Sequence, residues 1–518
     1  MSGYRRARGQ HLFAIVWLTL GLMVGMTRPV DAAKPEGQLT WAVHITLAPT
    51  WFDPAETAGI ITPFMVMYAL HDALLKPMPG KLLAPSLAES WTVSEDGMVY
   101  EFVLRGGAKF HNGEPVTAED VKYSFERYRG ASAQLMKERV AAVETPDIRL
   151  VRFRMKAPWP DFLTFYGTAS GAGWIVPKAY VEKMGEDKYK KAPIGAGPYK
   201  FVSFAPGVEL VLEANEQYWR KVPSVKRLVF KVIPDEATRL AALKRGEVDI
   251  AYSIRGELGE ELMRTPGLTL KPVVLQAPSW LYFPDQWDPT SPWHDQKVRK
   301  AASLAVNRQG MNEAITLGHS LITGSIIPDN FEYFWQPPTP VHDTAAAKKL
   351  LGEAGFPNGF DGGDFYCDAS NTPFCEAVMD GLRSAGIRVS LRPIERAAFN
   401  KGYSEKKFKN LIYGASGAFG NAATRLEAFV VKGGAYAYGS YPDIDALQAQ
   451  QAGELNPAKR TALLHRMQEI VHERTIYAPI WQLGFLNGAG PRVGESGFGL
   501  IARFPYTAPY EDLTLKAK

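Results

Sequence analysis

Residues 99–105 alternate. Tyr100, Phe102 and Leu104 fall on one side and Glu101 and Arg105 on the other, the period of a half-buried strand. Residues 208–214 repeat the pattern, with Val208, Leu210, Leu212 and Ala214 on one face, and residues 39–45 also read as a strand. Elsewhere the apolar spacing lengthens to three and four. Val121, Phe125 and Tyr128 share one helical face behind Thr117, which caps with Asp120 three positions on, and Val116 and Val121 stand where a hydrophobic staple needs them. Further helices are expected at 235–245, 297–305, 345–354 and 373–385; Gly246, Gly355 and Gly386 follow three of these as left-handed terminators. Strand and helix signals alternate throughout, so the class is α/β. At 518 residues, with no repeat, low-complexity block or long linker, two or three interleaved domains are expected.

Composition adds an address. Arg5, Arg6 and Arg8 precede an apolar stretch at 12–26, and small residues follow at Val30-Asp31-Ala32-Ala33. This is the layout of a secretory signal peptide over residues 1–32, cleaved after Ala32 or Ala33. Its apolar stretch is shorter than the ~20 residues a membrane-spanning helix needs. Removing it takes four arginines and one aspartate, and the formal charge falls from +5 to +2. The basic balance therefore belongs largely to the leader, which removes the main support for a nucleic-acid partner. Only Cys367 and Cys375 occur, eight apart, and in an oxidising compartment they are expected to pair as a disulfide worth about 2–3 kcal/mol.

Catalytic motifs are missing. The strings closest to a G-x-S-x-G elbow, at 167–171 and 413–417, have the wrong spacing, and His472-Glu473 is followed by Arg474-Thr475 rather than a metalloprotease partner. His465 and His472 share one face of a helix whose apolar stripe is Leu464, Met467, Ile470 and Val471, which makes theirs the solvated side. The glycines of 414–420 lack the context of a phosphate cradle. No catalytic residue, metal ligand or cofactor is assigned. A binding protein is favoured over a cell-envelope hydrolase such as a peptidase or amidase.

The stretch LAPSLAESWTVSEDGMVYEFVLRGGAKFHNGEPVTAEDVKYSFERY (83–128) strongly resembles the signature region of the family 5 extracellular solute-binding proteins, the dipeptide, oligopeptide and nickel receptors of ABC importers. GAGPYKFVSF (195–204), DEATRLAALKRGEVDI (235–250), VRKAASLAVNR (298–308) and AKKLLGEAGFPNGF (347–360) extend the likeness over most of the chain. The resemblance implies the large, three-subdomain form of the two-lobed periplasmic binding protein fold, hinged between its lobes. Lobe one would comprise 36–80, 192–277 and 484–518, with a subdomain inserted at 81–191, and lobe two would be 278–483. It implies a monomeric receptor that captures a small organic solute and delivers it to an inner-membrane ABC permease, with no membrane insertion of the mature chain. A binding protein that senses without a transporter is the other non-enzymatic reading.

Relatives of the dipeptide type hold the peptide amine with an aspartate in a G-W-x-x-D segment, and the carboxylate with an arginine in a lobe-two loop. The matching segment here, 411–429, contains no Asp, and the matching loop is Asp368-Ala369-Ser370-Asn371, without Arg. A buried ammonium without a carboxylate pays a steep desolvation penalty. A peptide with free termini is therefore not expected; a blocked or modified peptide, an opine-like conjugate or another amphiphilic solute is. The expected contacts are Ala58, Gly59 and Ile60 from the first lobe, Trp280 and Tyr282 past the first crossing, Ser370 and Asn371, Tyr413 and Gly417, and Trp481 before the last crossing. Arg425 either faces the cleft, where it would favour an anion, or sits on the surface at a helix start. Gly414, Gly417 and Gly420 serve either close backbone approach or the turn alone.

Overall fold

The computed structural model describes residues 34–57, 62–168, 170–504 and 506–517. The leader lies outside them. Among the described residues no helix is long and apolar enough to cross a membrane.

The first strand forms at Glu36–Val43 and runs parallel to Val225–Val232. These two strands lie in an 11-stranded mixed sheet. Beyond the short strand Ile250–Ala251 come the two longest strands, Tyr477–Ala489 and Thr269–Tyr282, and then Leu411–Ala415, Phe360–Asp368 and Ile387–Ile394. The long pair is antiparallel, and its register shifts between Val274 and Pro278. On one side of that break, Val273 and Phe485 flank a core built on Leu39, Trp41, Phe230 and Tyr510. On the other, Trp280, Leu281, Ile480 and Trp481 belong to cores shared with the helices between residues 296 and 473. One continuous sheet thus carries two lobes joined by two strands.

A separate four-stranded antiparallel sheet spans Ala88–Val93, Val99–Leu104, Leu150–Met155 and Val140–Asp147. Tyr100, Phe102 and Leu104 are buried in its core, as their alternation requires. Helix Ala118–Arg127 covers it, and the Thr117–Asp120 capping box closes as the local sequence dictates. The helices expected further on form at Glu236–Lys244, Gln296–Ala305, Thr344–Glu353 and Thr372–Ala385. Gly246, Gly355 and Gly386 follow three of them with φ of 71°, 90° and 101°. Val208 departs from the expected pattern. It precedes the strand Glu209–Ala214 and is 54% exposed, while Leu210 and Leu212 are buried.

Candidate functional site

The break in the long strand pair makes the site. Residues 275–277 leave the ladder opposite Leu483, and the strand resumes at Pro278, which has no N–H to donate. A cavity of about 380 Å³ opens at this bend, lined by Leu275, Gln276, Ala277 and Leu483. Strand Leu411–Ala415 pairs beside it and brings Tyr413, Ser416 and Gly417 into the wall. Loop 368–371 adds Asp368 and Asn371, and helix Arg396–Ser404 adds Arg396, Phe399 and Asn400. Thr62 and Tyr506 contribute from the other lobe.

Several polar groups of the wall are paired with one another. Tyr413 donates from its hydroxyl to Ser279 Oγ at 3.0 Å. Trp481 is fully buried with its Nε1–H directed toward the Tyr413 hydroxyl, and its ring meets Phe374 edge-on at 5.5 Å. Among the described residues Asp368 is the only carboxylate in the wall, and it is occupied: Arg396 Nε donates to it at 2.7 Å, and Ser370 N and Oγ each donate to Oδ1 at 2.9 Å. Burial opposes ionisation of Asp368, but Arg396 and Ser370 outweigh it and hold its carboxyl below the usual carboxylate range. Gln276 Nε2 reaches the carbonyl of Gly417 at 3.5 Å, a contact from the bend to the opposite wall.

Of the expected contacts, Asn371, Tyr413, Gly417 and Trp481 line this cavity. Ser370 is exposed beside it and works as the turn that fixes Asp368. Ala58, Gly59 and Ile60 lie outside the described residues. Trp280 and Tyr282 do not line the cavity. Both are buried on the opposite face of their strand, where Trp280 packs edge-on against Phe429 and Tyr477, and Tyr282 stacks on Tyr477 at 4.8 Å. Beyond the bend, the residue of this strand that lines the cavity is Ser279, one position from Trp280 and so on the other side of the pleat.

Arg425 takes neither expected place. It is buried, and its two Nη groups donate to the carbonyls of Ser416 and Ala418 at 3.1 Å each. It thus holds the segment behind Gly417 instead of facing the cavity. Gly414 approaches Trp280 and not a ligand: a Cβ there would stand 2.5 Å from the indole Nε1. The two cysteines expected to pair lie side by side. Cys367 and Cys375 are buried free thiols in side-chain hydrogen-bond contact, and burial pushes the Cys375 thiol far up. Arg396 escaped sequence reasoning because its partner lies 28 positions away, beyond any local pattern. Ser279, a polar residue in an apolar strand, was the available signal.

The profile of the bacterial extracellular solute-binding proteins, family 5 Middle, matches residues 83–437. The chain is 26% identical over 487 residues to the probable di/tripeptide-binding protein 5 of Pseudomonas aeruginosa strain UCBPP-PA14, covering 87% of this chain and 92% of that one. It is also 26% identical over 519 residues to heme-binding protein A of Haemophilus influenzae strain Rd, covering 91% and 92%. Its fold matches that of NikA from Brucella suis, solved with Fe(III)-EDTA, with a TM-score of 0.79 at 23% identity over 93% of this chain and all of that one. A bent two-strand connection with a cavity at the bend is what a receptor closing around a solute requires, and the chain belongs to the bacterial extracellular solute-binding proteins of family 5.

Proposed function

We propose that this protein, exported to the periplasm and cleaved after Ala32 or Ala33, captures a small organic solute rich in carboxylate or carbonyl acceptors. It then presents that solute to an inner-membrane ABC permease, as a monomer and without catalysis. The lobes of this reading are 36–80 with 192–277 and 484–518, carrying the insertion 81–191, and 278–483, with residues 275–277 and 483 as the flexing point. One observation carries the ligand class: among the described residues of the cavity wall the one carboxylate, Asp368, is already paired with Arg396, whose guanidinium is itself largely exposed to the cavity side. Arg396 can donate to a ligand carboxylate or carbonyl, while a ligand ammonium meets no unpaired carboxylate among the described wall residues. The breadth of ligands named for similar proteins, from di- and tripeptides to heme and a chelate with several carboxylates, is compatible with a scaffold whose anchors vary.

The test is mass spectrometry of solute released from the purified protein, followed by thermal shift with matched ligands. N-acetylated dipeptides and opine-like dicarboxylates should raise the unfolding midpoint by linkage, and Arg396→Gln should reduce that rise. A tight, saturable response to ordinary dipeptides with free amines, equal to that of their acetylated forms, would overturn the reading.

A further inference from the structure

Strand Phe360–Asp368 ends beside the solute cavity and helix Thr372–Ala385 begins there, with the short turn Ala369–Asn371 between them. Cys367 is the next-to-last residue of the strand, and Cys375 stands in the first turn of the helix. Both are fully buried in the core that holds Phe365, Val378, Tyr413 and Trp481. The Cys375 thiol donates to the Cys367 sulfur, so the two side chains point at one another across the turn. Their surroundings make them a pair and not a metal site: among the described residues no three or more His, Cys, Asp or Glu side chains are grouped to hold an ion.

The segment between the sulfurs is cavity wall. Asp368 follows Cys367 directly and holds Arg396, and Asn371 closes the turn. Phe374 precedes Cys375 directly; it meets Trp481 edge-on at 5.5 Å and stacks on Tyr413 at 6.3 Å. Ala369 and Ser370 are exposed, and the turn's own links are local, from Ser370 N to Asp368 and from Thr372 Oγ1 to Ala369 O. As thiols, the two cysteines add one weak hydrogen bond to this. A covalent bond in its place fixes the strand end to the helix start and leaves the turn little room to fluctuate.

We propose that Cys367 and Cys375 are joined by a disulfide in the exported protein, and that this bond fixes the wall that presents Asp368 and Arg396 to the solute. The wall's rigidity then depends on oxidation. The consequence for solute binding rests on the proposed function; the bond itself needs only a disulfide-bearing oxidant. The Cys367–Cys375 S–S bond forms, the oxidant's S–S bond breaks, and the two electrons and two protons of the thiols leave on its two sulfurs. Both sulfurs are closed to solvent in the folded chain, so the bond is made while the segment is still open during folding and afterwards resists reductant.

The test refolds the protein from urea in oxidised glutathione or in dithiothreitol, and recovers it from the periplasm of a bacterial host expressing the full chain. The glutathione-refolded and periplasmic forms should weigh two hydrogens less than the reduced form and take up no alkylating agent in urea. The oxidised chain should unfold about 3 °C higher. Its amides between Ala369 and Phe374 should exchange roughly threefold or more slowly than in the reduced chain, with those of the four-stranded sheet unchanged. Cys375→Ser should exchange like the reduced chain in either buffer; should it not fold, the two redox forms of the unmodified chain decide alone. Failure to pair in glutathione, or two free thiols in the periplasmic protein, would overturn the bond, and equal exchange in both redox forms would overturn the clamp. No readout needs a ligand, so failure here and failure of the solute reading are scored separately.

Discussion

Arg425 is a buried guanidinium with no carboxylate beside it. Two carbonyls accept from it, and the rings of Phe331 and Phe429 lie 5.6 and 5.5 Å from its central carbon. Burial pulls its pKa down to about 9. Such a group survives in place only because charge-assisted hydrogen bonds and ring faces offset its lost hydration. Arg425→Met keeps much of the apolar bulk but strands the carbonyls of Ser416 and Ala418. The expected cost is about 2–3 kcal/mol in urea unfolding. Solute affinity should fall as well, although Arg425 touches no part of the solute cavity, because Gly417 and Ser416 lose their support. Arg425→Lys, which cannot span both carbonyls, should recover less than half of either loss. A Met variant with wild-type affinity would show that the 416–418 segment holds itself.

Elements with local causes were legible in the sequence. The Thr117–Asp120 box, the glycines after three helices and the alternation at 99–104 are each settled within a few residues, and each formed where the pattern put it. The central strand was not legible at the level of faces. Residues 278–283 are buried on both sides, so no alternation marks inside from outside, and nothing local shows that Trp280 and Tyr282 point away from the cavity. The two histidines at the turn Gly195–Gly197 were invisible for another reason, since their partners come from distant segments. His71 Nε2 donates to the carbonyl of Phe52 at 2.9 Å. His111 accepts from Gly195 N–H on Nδ1 and donates from Nε2 to Gly197 O, which fixes the neutral ring. Burial lowers His71 to about 4 and His111 to about 3. Between those values and the ordinary 6.5, the unfolded chain binds protons that the native state refuses. Stability is therefore full above pH 6.5 and declines as pH falls toward 4, by roughly 3 kcal/mol from His71 alone. Urea midpoints of His71→Gln and His111→Gln measured from pH 7 to 4 should fall less steeply than those of the wild type. Parallel slopes would assign the acid sensitivity elsewhere.

At the scale of the whole molecule, closure depends on contacts that no ligand makes. Asp161, beside the inserted sheet, receives Arg460 Nη2 at 2.6 Å on one oxygen and Asn421 Nδ2 at 2.6 Å on the other. Arg503 and Asp329 add a two-point bridge at 3.1 and 2.5 Å, and Phe419 reaches across to Phe64 and Phe504. The Asp161–Arg460 pair is nearly buried, with 10% and 2% of the side chains exposed. Removing one partner of such a pair leaves a charge without solvent or counter-ion, a cost of about 3–5 kcal/mol. A hinged protein has an exit that a rigid core lacks, because opening returns Arg460 to water. Asp161→Asn should therefore shift the balance toward an open form rather than lower the unfolding free energy by the full amount. The expected signature is a larger radius of gyration in small-angle X-ray scattering without ligand, with weaker solute affinity, since binding must now supply the energy of closure. Asp161→Leu combined with Arg460→Met replaces the pair with apolar bulk and should restore both closure and affinity. If Asp161→Asn instead destabilises the fold while scattering and affinity stay as in the wild type, the pair serves the fold alone and closure is held by Phe419 and the Arg503–Asp329 bridge.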